Sequence, residues 1–316
     1  MINDATPALA AILVPALAAW VAIAAPTPAR AADLDLPGGC AIAGSANLHE
    51  TGGGFEAGRL EVTIPGTGSP TPPSLHAARL RADAKGAASV GPAQLEQAST
   101  AAAAALLTAL SSQHSGACPD AVLQTAMRPL AHGVQTGGGY DFTWTDVSVR
   151  AGTTRFGAHR LALHVAGDGR TAHLTGMLDG AVSNDRAAGL FPESLDVRVA
   201  LPASELPALL SATGGHGAPV DVTIEQAVAR RGATTLSGHG RASIASTPDA
   251  GTGVGHLTAQ GFDALIEAAN APGLERLRTG LFLAKLVAHR QGDQSDWDLA
   301  WQQGTLMVNN VPLPLR

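Results

Sequence analysis

His164 and His173 are the side chains whose type and spacing most directly suggest chemistry. They flank Asp168-Gly169, the first within Leu161-Ala162-Leu163-His164-Val165 and the second within Ala172-His173-Leu174. Asp-Gly between two alternating runs is a strong hairpin signal. With Asp168 and Gly169 as the two loop residues, Leu163 pairs with Leu174 and Val165 with Ala172. The same register puts His164 directly opposite His173 on the other face. Opposed Cβ atoms lie about 4.5–5.5 Å apart, close enough for two imidazoles to share a metal. A metal site needs a third ligand, and the neighbours on that face (Thr171, Thr175 and Met177) do not suit zinc. A solvated polar face is therefore favoured over a metal centre.

The remaining motifs carry less. Gly215-His216-Gly217 and Gly238-His239-Gly240 read as turns. Gly251-Thr252-Gly253-Val254-Gly255 resembles a phosphate loop only in its glycines, because a strand pattern follows where a phosphate loop needs a helix. Ser111-Ser112-Gln113-His114-Ser115 offers a nucleophile and a base, but residues adjacent in sequence rarely meet the geometry of a triad. The chain contains no H-E-x-x-H, G-x-S-x-G or G-x-x-x-x-G-K-[ST] motif. No catalytic or cofactor-binding residue is assigned, and no cofactor is expected.

The elements that would position these residues are mostly short strands. The 316 residues include 37 Gly and 20 Pro but only 3% aromatic residues, which favours many turns and a core of Ala, Val, Leu and Ile. Strands are expected over Arg59 to Ile64, over Tyr140 to Val149 with a phase slip and a bulge or turn near Asp146, and over Leu195 to Leu201 up to Pro202. Val220 to Glu225 reads as a further strand, with a turn near Arg231-Gly232. At the C-terminus, Gln303-Gly304 as a loop sets Trp301 against Leu306 and Leu299 against Val308, with Trp297 on the same face. Helices are expected over Pro92 to Ser111, from Pro119 to Met127, over Ser204 to Leu210 and over Phe262 to Ala271. Pro65 to Ser74 reads as an exposed loop. The fold class is α+β, mainly antiparallel β: a large curved antiparallel sheet with a few packed helices.

Pro7 to Pro26 is an apolar stretch without charge, followed by the small-x-small site Ala29-Arg30-Ala31. Pro15 and that site favour a cleaved signal peptide over a retained membrane anchor. Residues 1–31 are thus expected to be removed near Ala31. Residues 32–316 would remain as a single β-rich periplasmic domain with a helical insertion at about 92–131. Met1-Ile2-Asn3-Asp4 lacks the basic residues that usually precede such a segment, so the true start is expected to lie a few residues upstream. No second stretch is long and apolar enough to span a membrane. Cys40 and Cys118, an even count in an oxidising compartment, are expected to form one disulfide.

The formal net charge of −6 excludes the basic footprint that nucleic acid requires, and argues likewise against polybasic attraction to anionic lipids.

Three stretches of the second half carry a family resemblance: Leu195 to Pro202, Val220 through Gly238-His239-Gly240 to Ile266, and Trp297 to Leu313 with its closing Val308-Asn309-Asn310-Val311-Pro312-Leu313. From about Tyr140 to Arg316 the chain resembles a family of exported bacterial proteins of unknown function, AsmA-like in style. The resemblance implies a long curved antiparallel sheet in the periplasm with an apolar concave face. It also implies a link to lipid handling and outer-membrane homeostasis, and no catalytic residues. The expected function is a non-enzymatic envelope protein that binds a lipid, another apolar ligand or an envelope protein partner. The alternatives are a periplasmic hydrolase whose site is assembled from distant residues, and an assembly factor docking through a sheet edge.

Overall fold

The computed structural model describes residues 41–65, 72–86, 90–110, 128, 130–151, 154–184, 188–206, 219–245, 251–302 and 304–313. The expected signal peptide, Cys40 and Cys118, the helix from Pro119 to Met127, Ser111 to Ser115 and Gly215 to Gly217 all lie outside them.

The fold is mainly antiparallel β. One large open sheet holds all seventeen described strands. Strands β1 (Ile42–Ala46) and β2 (His49–Thr51) pair with β4 (Arg59–Thr63) and β3 (Gly54–Ala57). Both β3 and β4 pair with opposite ends of β5 (Ser74–Lys85). From there the sheet runs through β6 (Gly139–Ala151), β7 (Thr154–Gly167), β8 (Thr171–Asp179) with its extension β9 (Val182–Ser183), and β10 (Ser194–Pro202). It continues through β11 (Val220–Arg231), β12 (Thr234–Ile244) and β13 (Thr252–Gln260) to β15 (Gln294–Gln302). Strands β14 (His289–Gln291) and β16 (Thr305–Val308) share the far side of β15, and β17 (Val311–Leu313) ends the sheet.

Alternation decides which face is buried. Tyr140 and Phe142 of β6, Leu163 and Val165 of β7, and Val197 and Val199 of β10 are buried, whereas Asp141, His164 and Arg198 between them face the other way. The alternation slips at one row without a change of register. Two consecutive residues point outward in each of five neighbouring strand lines: Gly58-Arg59, Ala78-Arg79, Thr145-Asp146, His159-Arg160 and Asp179-Gly180. Asp146 (φ 50°) and Gly180 (φ 63°) take the left-handed conformation at this row, which suits a short polar side chain or glycine. The expected irregularity at Asp146 is thus one point on a crease that crosses the sheet.

Helix α1 (Pro92–Leu110) packs on β3 to β6, as its Ala and Leu content anticipates. Gly91 precedes Pro92, and the Gln94 side chain reaches back to accept a hydrogen bond from the Gly91 amide at 2.9 Å, half of a capping box. Leu95, Ala98, Ala101 and Leu107 are fully buried beneath it. Residues 130–135 form a further helical segment before β6.

Between β13 and β14 lie α2 (Phe262–Ala268), shorter than the span to Ala271 suggests, and α3 (Glu275–Val287). They cover a second, smaller cluster containing Ala259, Phe262, Leu265, Leu281, Trp297 and Val308. Two side chains satisfy carbonyls of the last turn of α3, which have no partner inside the helix. Trp297 Nε1 donates to Ala284 O at 2.7 Å, and Asn309 Nδ2 donates to Val287 O at 2.6 Å. Near Ser204 only a short 3-10 turn (Ala203–Glu205) is present within the described residues. No helix among the described residues is long and apolar enough to cross a membrane.

Candidate functional site

The hairpin that carries His164 and His173 closes differently from expectation. Asp168 is not a central loop residue but the residue before the turn. Its Oδ1 accepts from the amides of Arg170 at 2.8 Å and Thr171 at 2.7 Å, an Asx turn that leaves Gly169 (φ 89°) and Arg170 at the tip. The register moves by two residues: Val165 faces Leu174, His164 faces Thr175, and His173 faces Ala166. A two-residue slip keeps every side chain on its expected face but removes the direct opposition of the two imidazoles. His164 instead pairs through Nδ1 with Asp141, and His173 lies 3.5 Å from Glu225.

Asp141 is the hub of this polar face. Lys85 and His164 both contact its carboxylate. Partial burial pulls the Asp141 pKa upward, but hydrogen bonds from Lys85 and His164 outweigh it and hold the carboxyl below its ordinary value. The result is a solvated ion-pair ladder.

A second polar cluster lies on the same face at β12, β13 and β15. His239 and His256 are paired by register, with ring centroids 5.8 Å apart. His256 sits between two carboxylates, with Nδ1 2.9 Å from Asp298 and Nε2 3.6 Å from Asp296. Asp296 is buried. Thr258 Oγ1 donates to it at 2.7 Å, and this bond, with those from Gln294, holds its carboxyl below the usual range. No group of three or more metal-ligating side chains among the described residues is arranged to hold an ion.

Gly238-His239-Gly240, read from sequence as a turn, is the middle of β12. The glycines are there for close approach between strands. A Cβ on Gly240 would lie 2.4 Å from the Val254 carbonyl oxygen, and one on Gly255 2.8 Å from that of His239. Gly253-Val254-Gly255 likewise lies within β13, so the strand expected to follow the glycine run already includes most of it.

These glycines define the most distinctive part of the apolar face. One row of paired residues crosses the sheet as Tyr140, Val165, Leu174, Val199, Ile224, Gly240, Gly255, Leu299 and Val308. Its two ends belong to the two hydrophobic clusters, while Ile224 belongs to neither. A parallel row runs Val222, Ala242, Gly253, Trp301 and Leu306. Ile224 and Trp301 are half-buried. Between the core under α1 and the core under α2 and α3, the face is therefore floored by glycine and edged by Ile224 and Trp301. Sequence reading placed Trp301 on the apolar face but missed the floor, because its glycines resemble turn residues until their strand partners are known.

Comparison with family models, with curated proteins and with solved structures returned no match.

Proposed function

We propose that this is an exported, non-enzymatic envelope protein that holds a lipid or similar apolar ligand on the glycine-floored part of its sheet. One observation carries the reading: an apolar face shared by two separate cores is left, between them, with backbone in place of side chains. Backbone at such a floor lets an acyl chain lie close to the sheet, and Ile224 and Trp301 supply apolar edges. The close approach of neighbouring strands at Gly240 and Gly255 is what a sheet curled toward that face requires. It supports the curved architecture that the AsmA-like resemblance implies. The apolar segment from Pro7 to Pro26 and the site ending at Ala31 support export to the periplasm.

Native mass spectra of the protein recovered from the periplasm, before and after denaturing extraction, test this reading. The expected result is extra mass that extraction releases as lipid. Gly253→Val should reduce that lipid severalfold, since a Cβ there meets no atom closer than 3.5 Å and the side chain would fill the floor without displacing a strand. A clean apoprotein mass in freshly recovered protein would overturn the proposal.

A further inference from the structure

The sequence gives no sign of α3, yet among the described residues this helix gathers three large exposed apolar side chains on one element. Phe282, Leu283 and Leu286 are 53%, 42% and 66% exposed. Leu277, Leu281 and Ala284 on the opposite side pack into the smaller core, so the helix is apolar on both faces. At 100° per residue, Phe282, Leu286 and Leu283 form a ridge along the C-terminal half of the helix, with Thr279 and Glu275 continuing that side toward its start, Arg278 on one flank and Arg276 on the other. Neither arginine has an ion-pair partner among the described residues. Of the nearby acids, Glu275 accepts a hydrogen bond from the Gly273 amide at 3.0 Å, and Asp263 is taken by Lys285.

We propose that α3 docks the protein on an anionic membrane surface, with Phe282, Leu283 and Leu286 entering the headgroup boundary and Arg276 and Arg278 meeting lipid phosphates. A helix that lies in the interface has this construction: large apolar residues on the outward ridge, with basic residues on its flanks. Charge complementarity selects an anionic surface over a second copy of the chain. Two copies meeting ridge to ridge would bring four guanidinium groups together, with only the engaged Glu275 to answer them. The chain's net charge of −6 does not reveal this patch, because α3 itself carries Arg276, Arg278 and Lys285 against the single acid Glu275. The proposal rests on α3 alone and is independent of the ligand reading above.

Vesicle flotation with the full chain as recovered after export tests it. Phosphatidylcholine vesicles are compared with vesicles containing 3 parts in 10 phosphatidylglycerol (about 30%, enough to charge the surface). Binding is expected only to the anionic vesicles. It should fall at least about tenfold in the Arg276→Gln, Arg278→Gln double variant, and in strong salt. Phe282→Ser with Leu286→Ser should abolish it while circular dichroism and thermal unfolding stay unchanged. Three results would overturn the proposal: no flotation with anionic vesicles, flotation indifferent to both double variants, or a change of oligomeric state in the Ser variant with flotation unaltered.

Discussion

Glu96 shows how one buried group couples this fold to pH. It lies on the inner face of α1, and its carboxylate accepts a hydrogen bond from Ser45 Oγ of β1 at 3.0 Å. Burial nevertheless pushes its pKa above the ordinary glutamate value, with the Ser45 bond only partly offsetting that rise. The folded state therefore holds the proton more tightly than the unfolded chain. Stability should fall as pH rises from the ordinary glutamate value through the raised one, and stay lower above it. Glu96→Gln removes this dependence. Melting temperatures measured from pH 4 to pH 8 should show the variant gaining on the parent as pH rises. A difference constant across that range would refute the assignment. Nothing in the local sequence Ala93-Gln94-Leu95-Glu96 marks this residue, since only the packing of α1 on the sheet makes it interior.

At the scale of elements, the attachment of α3 depends on Trp297 and Asn309, which satisfy carbonyls in its last turn. Trp297→Phe keeps an aromatic ring against Phe262, whose centroid lies 4.9 Å away. It removes the donor to Ala284 and some core volume. The expected cost is about 1–3 kcal/mol in denaturant unfolding, and a cost near zero would show that the helix is held by burial alone. This pair also shows where sequence reading stopped. The pairing of Leu299 with Val308 and of Trp301 with Leu306 was legible, because a Gly turn between two alternating runs fixes parity and register together. Helix α3 was not legible, because its exposed ridge is as apolar as its buried face and blurs the 3.6-residue period. The hairpin at Asp168 failed by two residues because a side-chain hydrogen bond, rather than the Asp-Gly pair itself, chose the loop.

At the scale of the whole molecule, one sheet carries two cores of unequal size. Among the described residues, the core beneath α1 extends from Ala41 through Val222, whereas the second holds only seven buried residues. Local opening follows the amount of apolar surface buried. Amides of β13 and β15 should therefore exchange with solvent before those of β5, β6 and β7 in native-state hydrogen exchange. Simultaneous exchange across all these strands would show that the two cores unfold as one cooperative unit. The glycine floor lies at the junction between them, where Ile224 faces Gly240 and Gly255 faces Leu299.

The sequence by itself determined the antiparallel character of the chain, the faces of its clearest strands, the helix from Pro92 and the C-terminal hairpin. Those features depend on neighbours in the chain, through alternation, turn residues and a helix-starting proline. Only the tertiary structure decided the crease through Asp146 and Gly180, the place of Gly238-His239-Gly240 inside a strand, and the gathering of Arg276, Arg278 and Phe282 on one exposed helix. Each of these depends on a partner strand or a packed neighbour far away in the chain. A glycine that makes room for a carbonyl cannot be told from a glycine that makes a turn until that carbonyl is in place.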